Sequence, residues 1–569
     1  MKSFICMLFN RFQHQSKFAP GLLLLLIAWM IPLADTAPLT VERFDRVEFS
    51  FKTAGQYDNP FTDLDAEAKI KRPDGLTWTL PLFWYDGHDW KLRVSPDVKG
   101  KWSFTIHSKD EGLNGQSGAF ECVASDRNGS IQAMDGAGHH FSYQSGRPFL
   151  FWGDTAWALY LSNPDEKLDR QAVYHYINKR AGEGVNVMHS MLLSEANWGN
   201  NGGDPFHDLS SQTINPAYWQ EIDERLAYLN QQDIIGGLVL SWGDKGRNEK
   251  WAWRMFPDFE ARKRYARYIA ARYGAFNVYF ILSGEWHAEI KARGMDEQQV
   301  KQEFIKLGDA FAQADAHNRM VGMHPMTNLG TVRDYSKTEW MSFGDYQQNY
   351  IDMHKRILES RPLNKPIVNS EYGYIYRDSS GDGKVDKHNS FGPEDMRFAT
   401  WDIIMAGGYP MTGYGSTYLG GFRDPGPFNP DDPRNEIWAQ QYRHAKQFLA
   451  EFDWWELQPQ DDWIECAQPR SEDREVKVHM SPTSTRKVRR PPLSTYWLLT
   501  EPGRQYITYV RGTDKPVTIN FKDNEEETYQ AYLFNPRTGE WSEMKDSTKL
   551  TGAFTFTPPD KQDWVIVLK

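Results

Sequence analysis

Cysteine is almost absent from this sequence: three occur in 569 residues, Cys6, Cys122 and Cys466. A small scaffold stapled by disulfides is therefore excluded. Long apolar runs are lacking too. The one strongly apolar segment, GLLLLLIAWMIPLA at 21–34, is too short for a bilayer crossing, which takes about 20 residues. Basic excess is also missing: 65 Lys and Arg stand against 76 Asp and Glu, a formal charge of −11. That balance argues against a protein that tracks nucleic-acid phosphates. No glycine-rich phosphate fingerprint follows the first strand of the parallel pattern described below, and His189, His287 and His324 lack a His-x-x-x-His spacing. The signatures of a dinucleotide site and of a zinc centre are thus absent.

What is present is aromatic: 22 Trp, 27 Tyr and 32 Phe, material either for a core or for stacking on sugar faces. Lys2, Arg11 and Lys17 precede the apolar segment, and small residues follow it up to Ala37. Residues 1–37 read as a secretory signal peptide, so the mature chain is expected to start near Pro38, secreted or periplasmic, without a membrane partner after cleavage. Cys122 and Cys466 then remain, open to two readings: a long-range bridge, or two free thiols.

The rest divides in three. Over 38–126, short strands such as VEFSFK (47–52), AEAKIKR (66–72) and WSFTIHS (102–108) are broken by Asn59-Pro60, Asp86-Gly87 and Lys99-Gly100, the rhythm of an antiparallel β-sandwich. Over 127–455, buried strands alternate with helical patterns. FLFWGD (149–154), VNVMHSMLL (185–193), IIGGLVLSW (234–242), NVYFIL (277–282), RMVGMHP (319–325), WMSFGDYQ (340–347), PIVNSEY (366–372) and YPMTGYG (409–415) are the strands, and FEARKRYARYIAARYG (259–274) is typical of the helices. Eight such units predict a (β/α)8 TIM barrel, with an open doubly wound sheet as the alternative. Over 456–569, QYITYVR (505–511), YQAYLF (529–534) and WVIVL (564–568) predict a second β-sandwich. Within it SPTSTRKVRRPPLS (481–494) reads as an exposed loop whose basic run is able to meet an acidic polymer.

In a barrel of this kind, polar residues that end the strands line the active site. Those positions hold Asp154, Glu195 with Asn197, Asp244, Glu285 with His287, His324, Asp345 and Glu371. Glu285 and Glu371 each follow an apolar run with a small residue before the carboxylate. Two carboxyls in one cleft are the minimum equipment for cleaving a glycosidic bond: one held protonated for the leaving oxygen, the other ionised at the anomeric carbon. Trp157, Trp198, Trp242, Trp286, Tyr346, Tyr372 and Tyr414 also sit at or near strand ends, where rings suit sugar stacking. Asp154, Asn197, Asp244, His287 and His324 are candidates to orient hydroxyls. No cofactor is needed for this chemistry. One motif points to a structural ion: Asp378, Ser380, Asp382, Lys384 and Asp386, with Gly383, follow the first part of a calcium loop, although Asn389 replaces its bidentate Glu.

These residues carry a resemblance. FSYQSGRPFLFWGDTAWALY (141–160), ILSGE (281–285), PIVNSEYGY (366–374) and MAGGYPMTGYG (405–415) resemble the apiosidase-like glycoside hydrolases, barrel enzymes of secreted polysaccharide degradation. NPF (59–61), FWYDG (83–87) and WKLRVSPDVKGKW (90–102) resemble the sandwich that precedes such barrels. PGRQYITYVRG (502–512), FNPRTGEW (534–541) and DWVIVL (563–568) resemble the collagen-binding-type sandwich that follows them. The resemblance implies Glu285 as acid/base, Glu371 as nucleophile, a retaining mechanism, and a plant or algal carbohydrate polymer as partner. Ser283-Gly284-Glu285 departs from the Gly-Gly-Asp ending of the relatives, and its longer side chain shifts the reach of the acid. A barrel of the same fold that binds polysaccharide without cleaving it is the alternative.

Overall fold

The computed structural model describes residues 39–162, 169–194, 199–210, 212–243, 252–326, 329–347, 352–375, 390–413, 431, 433–481, 484–521, 527–544, 548–550 and 552–569. The expected signal peptide lies outside them. Among the described residues no helix is long and apolar enough to cross a membrane.

Period-two alternation builds the first layer. In Ala66–Lys71, Ala66, Ala68 and Ile70 point inward while Lys69 and Lys71 face water, as a half-buried strand requires. A five-stranded sheet runs in the order Thr40–Glu42, Ser117–Val123, Gly100–Ser108, Ala66–Lys71, Thr77–Pro81. A three-stranded sheet is formed by Val47–Lys52, Asp89–Val94 and Phe83–Asp86. Aromatic rings fill the space between them, with Trp102 stacked on Phe120 at 5.8 Å and Phe49 against Phe104 at 4.8 Å.

Eight parallel strands follow. Gly153–Thr155, Val187–Met191, Ile235–Val239, Val278–Ile281 and Val321–Gly322, here strands one to five, pair in sequence order. Gly344–Gln347, Ile367–Asn369 and Tyr409–Pro410, strands six to eight, form a second parallel set. Single parallel bridges join the two sets, Val321 to Met341 and Gly153 to Met411. A helix follows each strand, and four of them begin with a capping side chain. Asp169, Asn215, Asp258 and Asp296 accept backbone N–H groups at the starts of Arg170–Gly182, Pro216–Gln231, Phe259–Tyr273 and Glu297–Ala314, satisfying donors that a helix start leaves open.

Strand one is shorter than the run FLFWGD led us to expect. Pro148–Phe149 instead pairs antiparallel with Phe141–Tyr143, in a separate three-stranded sheet. The filling between the strands also departs from the branched aliphatics usual in such folds. Phe141, Phe151, Tyr279 and Phe343 form a chain of rings with centroids 4.9–6.2 Å apart. Strand glycines make the room: a Cβ on Gly237 would lie 2.5 Å from the Tyr279 hydroxyl, and one on Gly322 2.6 Å from Phe343.

The last region has a six-stranded sheet, in the order Gln458–Pro459, Thr495–Glu501, Gln505–Arg511, Trp564–Leu568, Ala531–Asn535, Glu540–Glu543, and a three-stranded one of Ile464–Cys466, Val517–Asn520 and Ala553–Phe556. The stretch expected as a loop is a correction. Arg474–Ser481 and Ser484–Arg490 form a two-stranded hairpin, with Val476 opposite Val488, because β-branched Val476, Val478 and Val488 favour extended pairing over the loop that the flanking prolines suggest. Cys122 and Cys466 are both free thiols. Cys122 is buried, and burial pushes its pKa up to about 11.

Buried arginine–carboxylate pairs hold the flanking sheets to the centre. On one side Arg93 reaches Asp223 at 2.6 Å and the Arg272 carbonyl at 2.8 Å, while Arg272 grips both Asp223 oxygens at 2.9 Å. On the other, helix Pro393–Met405, buried from Met396 onward, pairs Asp402 with Arg511 at 2.8–2.9 Å and Arg397 with Asp563 at 2.7–2.9 Å. Trp401 stacks flat on Tyr509 at 5.1 Å between them.

Burial alone would raise the Asp223 carboxyl, yet Arg272 and Arg93 hold it down at about 2. Its stabilising contribution is therefore complete above the unfolded carboxylate value of ~3.9 and is lost as pH falls through the folded one. Asp223→Ala, which strands two buried guanidinium groups, is expected to cost about 3–5 kcal/mol in urea unfolding at pH 7. The deficit relative to wild type should shrink between pH 4 and 2, and an undiminished deficit at pH 2 would contradict the assignment.

Candidate active site

The ends of strands five to seven converge on one charged group, His324. Its Nδ1 lies 3.2 Å from Asp345 Oδ2 and 2.9 Å from Ser370 Oγ, and its Nε2 lies 3.2 Å from Glu371 Oε2. His324 is fully buried, which by itself lowers the pKa of an imidazole. Asp345 and Glu371 outweigh that and hold it up at about 9, so at neutral pH the ring is a cation between two carboxylates.

Strand six shows how the pleat selects these partners. Asp345 faces His324, and two residues on, Gln347 Nε2 donates to Glu285 Oε1 at 3.2 Å. Tyr346 points the other way and bonds Ser360 on the following helix at 2.7 Å, so its ring belongs to the strand–helix packing and not to the expected cleft.

Glu285 takes its second donor, Trp242 Nε1, on Oε2 at 3.2 Å, and only 6% of the residue is exposed. Its backbone is in the left-handed region, φ 43°, where a residue with a Cβ sits rarely and mostly at functional or strained positions. Both neighbouring glycines follow from that turn. A Cβ on Gly284 would lie 2.5 Å from Trp242 Cδ2, and one on Gly243 would lie 2.5 Å from the Glu285 carbonyl oxygen.

Rings enclose the group. Trp157 packs edge-on to Trp242 at 5.0 Å and lies 5.1 Å from His324, with Trp242 at 5.4 Å. Trp157 Nε1 donates to Tyr374 O–H at 2.6 Å. Glu371, Glu285, His324, Trp157 and Trp242 are thus in one cluster through named contacts. Gln347, Ser370 and Tyr374 belong to it as well, and sequence reasoning missed them. Gln347 was open to discovery as the residue sharing a face with Asp345, whereas Ser370 and Tyr374 give no comparable signal.

Other expected residues are placed elsewhere. Asp154 is fully buried and accepts from Tyr176 at 2.7 Å and Arg180 at 2.5 Å, so an internal ion pair holds it. Trp286 has no exposed surface and packs on His287 at 3.9 Å and Tyr335 at 5.2 Å. His287 follows it toward Asp334, 3.8 Å away. Tyr372 bonds Thr400 on helix Pro393–Met405 at 2.8 Å. These four side chains are taken up inside the fold, and sugar contact is not what their surroundings offer. Glu195, Asn197, Trp198, Asp244, Tyr414 and the calcium-loop candidates Asp378, Ser380, Asp382, Lys384 and Asp386 lie outside the described residues. Among the described residues, no group of three or more His, Cys, Asp or Glu side chains is arranged to hold a metal ion.

Comparisons with known proteins agree with this layout. A family model described as "Apiosidase-like, catalytic domain" matches residues 136–456. A domain of unknown function, DUF5060, matches 40–109, and "Putative collagen-binding domain of a collagenase" matches 496–569. Among solved structures, a "putative glycoside hydrolase" from Bacteroides vulgatus ATCC 8482 superposes with a TM-score of 0.69 at 18% identity, covering 93% of this chain and 99% of its own. A glycoside hydrolase family 5 protein of the same organism gives 0.59 at 17% identity, covering 78% and 93%. At these identities the likeness shows the fold. No curated protein matches the sequence.

Gly284 allows a direct check of the packing. Gly284→Ala should push the Trp242 indole from its seat, costing about 1–3 kcal/mol in urea unfolding, the usual penalty for overpacking, and shifting the tryptophan emission. Unchanged stability and emission would mean that the indole does not rest on this glycine.

Proposed function

The chain belongs to the apiosidase-like catalytic-domain family, and on that premise we propose that it is a secreted glycoside hydrolase acting on a plant or algal polysaccharide, with a (β/α)8 barrel closed through the two single bridges and a retaining mechanism. The observation that carries the reading is the shared cluster: Glu285 held by Trp242 and Gln347, Glu371 held by a His324 cation that Asp345 also grips.

In this reading Glu371 attacks the anomeric carbon while Glu285 gives its proton to the departing glycosidic oxygen, leaving a glycosyl ester on Glu371. Glu285, now a carboxylate, takes a proton from water, whose oxygen attacks the same carbon and releases Glu371. The two N–H donors, one on each oxygen of Glu285, stabilise the anion formed in the first step. The His324 cation lies where negative charge returns to Glu371 in the second, a fixed charge that needs no reorganisation during reaction. Trp157 and Trp242 wall the cluster. Export is inferred from the apolar segment at 21–34 with Lys2, Arg11 and Lys17 ahead of it, the pattern of a secretory signal.

Two measurements test this reading. Reducing-sugar release from neutral and acidic plant and algal polysaccharides should be present in the wild type and fall on the order of a thousandfold or more in Glu371→Gln. Wild-type turnover in that variant would remove Glu371 from the mechanism. His324 acts through Glu371 as a positioning residue, so kcat/KM should fall as pH rises through about 9, where the cation is lost. That limb should vanish in His324→Asn, and a wild-type profile flat to pH 10 would sink the assignment.

A further inference from the structure

The hairpin Arg474–Ser481 and Ser484–Arg490 is out of keeping with the rest of the chain. It holds six basic residues, Arg474, Lys477, Arg486, Lys487, Arg489 and Arg490, against one acidic, Glu475, in a protein of net charge −11. Among the described residues its two strands pair only with each other, in a register that sets Lys477 opposite Lys487 and Arg474 opposite Arg490. Like charges directly opposite one another destabilise a β-ladder. The ribbon therefore carries a charge density that its own fold does not require.

Its foot stands at the rim of the cluster described above. Arg490 lies over the Phe391 ring at 4.5 Å and 3.6 Å from Asp395. Phe391 pairs with Ile375 and leaves no room for a Cβ on Gly373, which a methyl would put 2.6 Å from the ring. Gly373 is two residues beyond Glu371. On the other side, Asp473, just ahead of the hairpin, accepts the Asp352 N–H at 2.9 Å, and Asp352 is five residues beyond Gln347, the donor to Glu285. The foot of the hairpin thus meets the segments that follow strands six and seven; strand six ends in Gln347, the donor to Glu285, and strand seven leads into Glu371.

We propose that this hairpin is a binding surface for the anionic groups of a polysaccharide, lent by the C-terminal region to the rim of the catalytic cleft, so that the substrate is a polymer bearing carboxylate or sulfate groups. The proposal rests on the glycoside hydrolase reading and adds a substrate class to it. A basic ribbon at the rim attracts a polyanion that the acidic body repels, and it orients the chain as it enters. A ribbon with basic residues on both strands suits a repeating charge, since several weak contacts act together along one chain.

Binding separates this inference from catalysis. Full-length Glu371→Gln protein, which should leave the polymer intact, is titrated with a uronate polymer, a sulfated galactan, a neutral glucan and an oligonucleotide of equal charge. Binding to the uronate or the sulfated polymer that weakens with added salt supports the proposal, and which of the two binds names the anion. Lys477→Gln, Arg486→Gln, Lys487→Gln and Arg489→Gln together should weaken that binding about tenfold or more, each charge contact being worth a few-fold. Charge-keeping exchanges of Lys for Arg and Arg for Lys at the same positions should retain it, which separates lost charge from a misfolded hairpin. Equal binding of the neutral glucan, binding of the oligonucleotide alone, or undiminished affinity in the fourfold Gln variant would overturn the proposal. Cleavage of neutral polymers only would leave the hydrolase reading standing while this one falls.

Discussion

An imidazole cation buried between two carboxylates is the constraint from which the site takes its form. His324 has no exposed surface, and its charge is sustained by Asp345 on one ring nitrogen and Glu371 on the other. Removing a charge from water is costly unless its partners are close and well oriented. The three strands that supply these residues must therefore keep a fixed register at their carboxyl ends. Pairing of strands six and seven sets Asp345 beside Val368 and Tyr346 beside Asn369, and the same register carries Gln347 on toward Glu285. The positions of both proposed catalytic groups thus depend on one charge arrangement.

The flanking sheets obey a related rule. Each meets the α/β region through arginines whose guanidinium groups are shared between a carboxylate and a backbone carbonyl or an aromatic face, as Arg93 is with Asp223, the Arg272 carbonyl and Phe83. A bidentate planar donor tolerates little rotation, so these contacts restrict orientation where an apolar interface would allow sliding. That matters most at helix Pro393–Met405, which packs on strand eight and on the last sheet and whose Thr400 anchors Tyr372, next to Glu371.

Much of this was legible in the chain. Alternation gave the sandwich-like sheets, and helical spacing between the apolar strand runs gave the helices of the central region. Small residues before Glu285 and Glu371 marked strand ends. What could not be read was the direction of each side chain once a strand had ended. Trp286 and Tyr372 sit next to the two glutamates in sequence, and each is turned into the helical layer. Tyr346 was misjudged although its strand is regular, because an aromatic at a strand end attracts notice while its parity does not. The hairpin's second half was read as a loop since proline and serine at its turn and end dominate a local reading, whereas its pairing joins Val476 to Val488, twelve residues away. His324 was found by position, but its charge depends on neighbours 21 and 47 residues away along the chain.

The left-handed backbone at Glu285 makes one torsion angle serve two layers of the molecule. The same turn aims the carboxylate at Trp242 and Gln347 and sends Trp286 into the wall formed with Tyr335. Any drift in that angle moves an acid and an indole together, in opposite senses. Sequence change at this corner is thereby channelled: a new residue at 285 inherits a geometry guaranteed by the hydrophobic wall, and a new wall residue is selected through its effect on the carboxylate. Diversification of the cleft is then easiest at places free of this linkage, among them the basic hairpin Arg474–Ser481 and Ser484–Arg490.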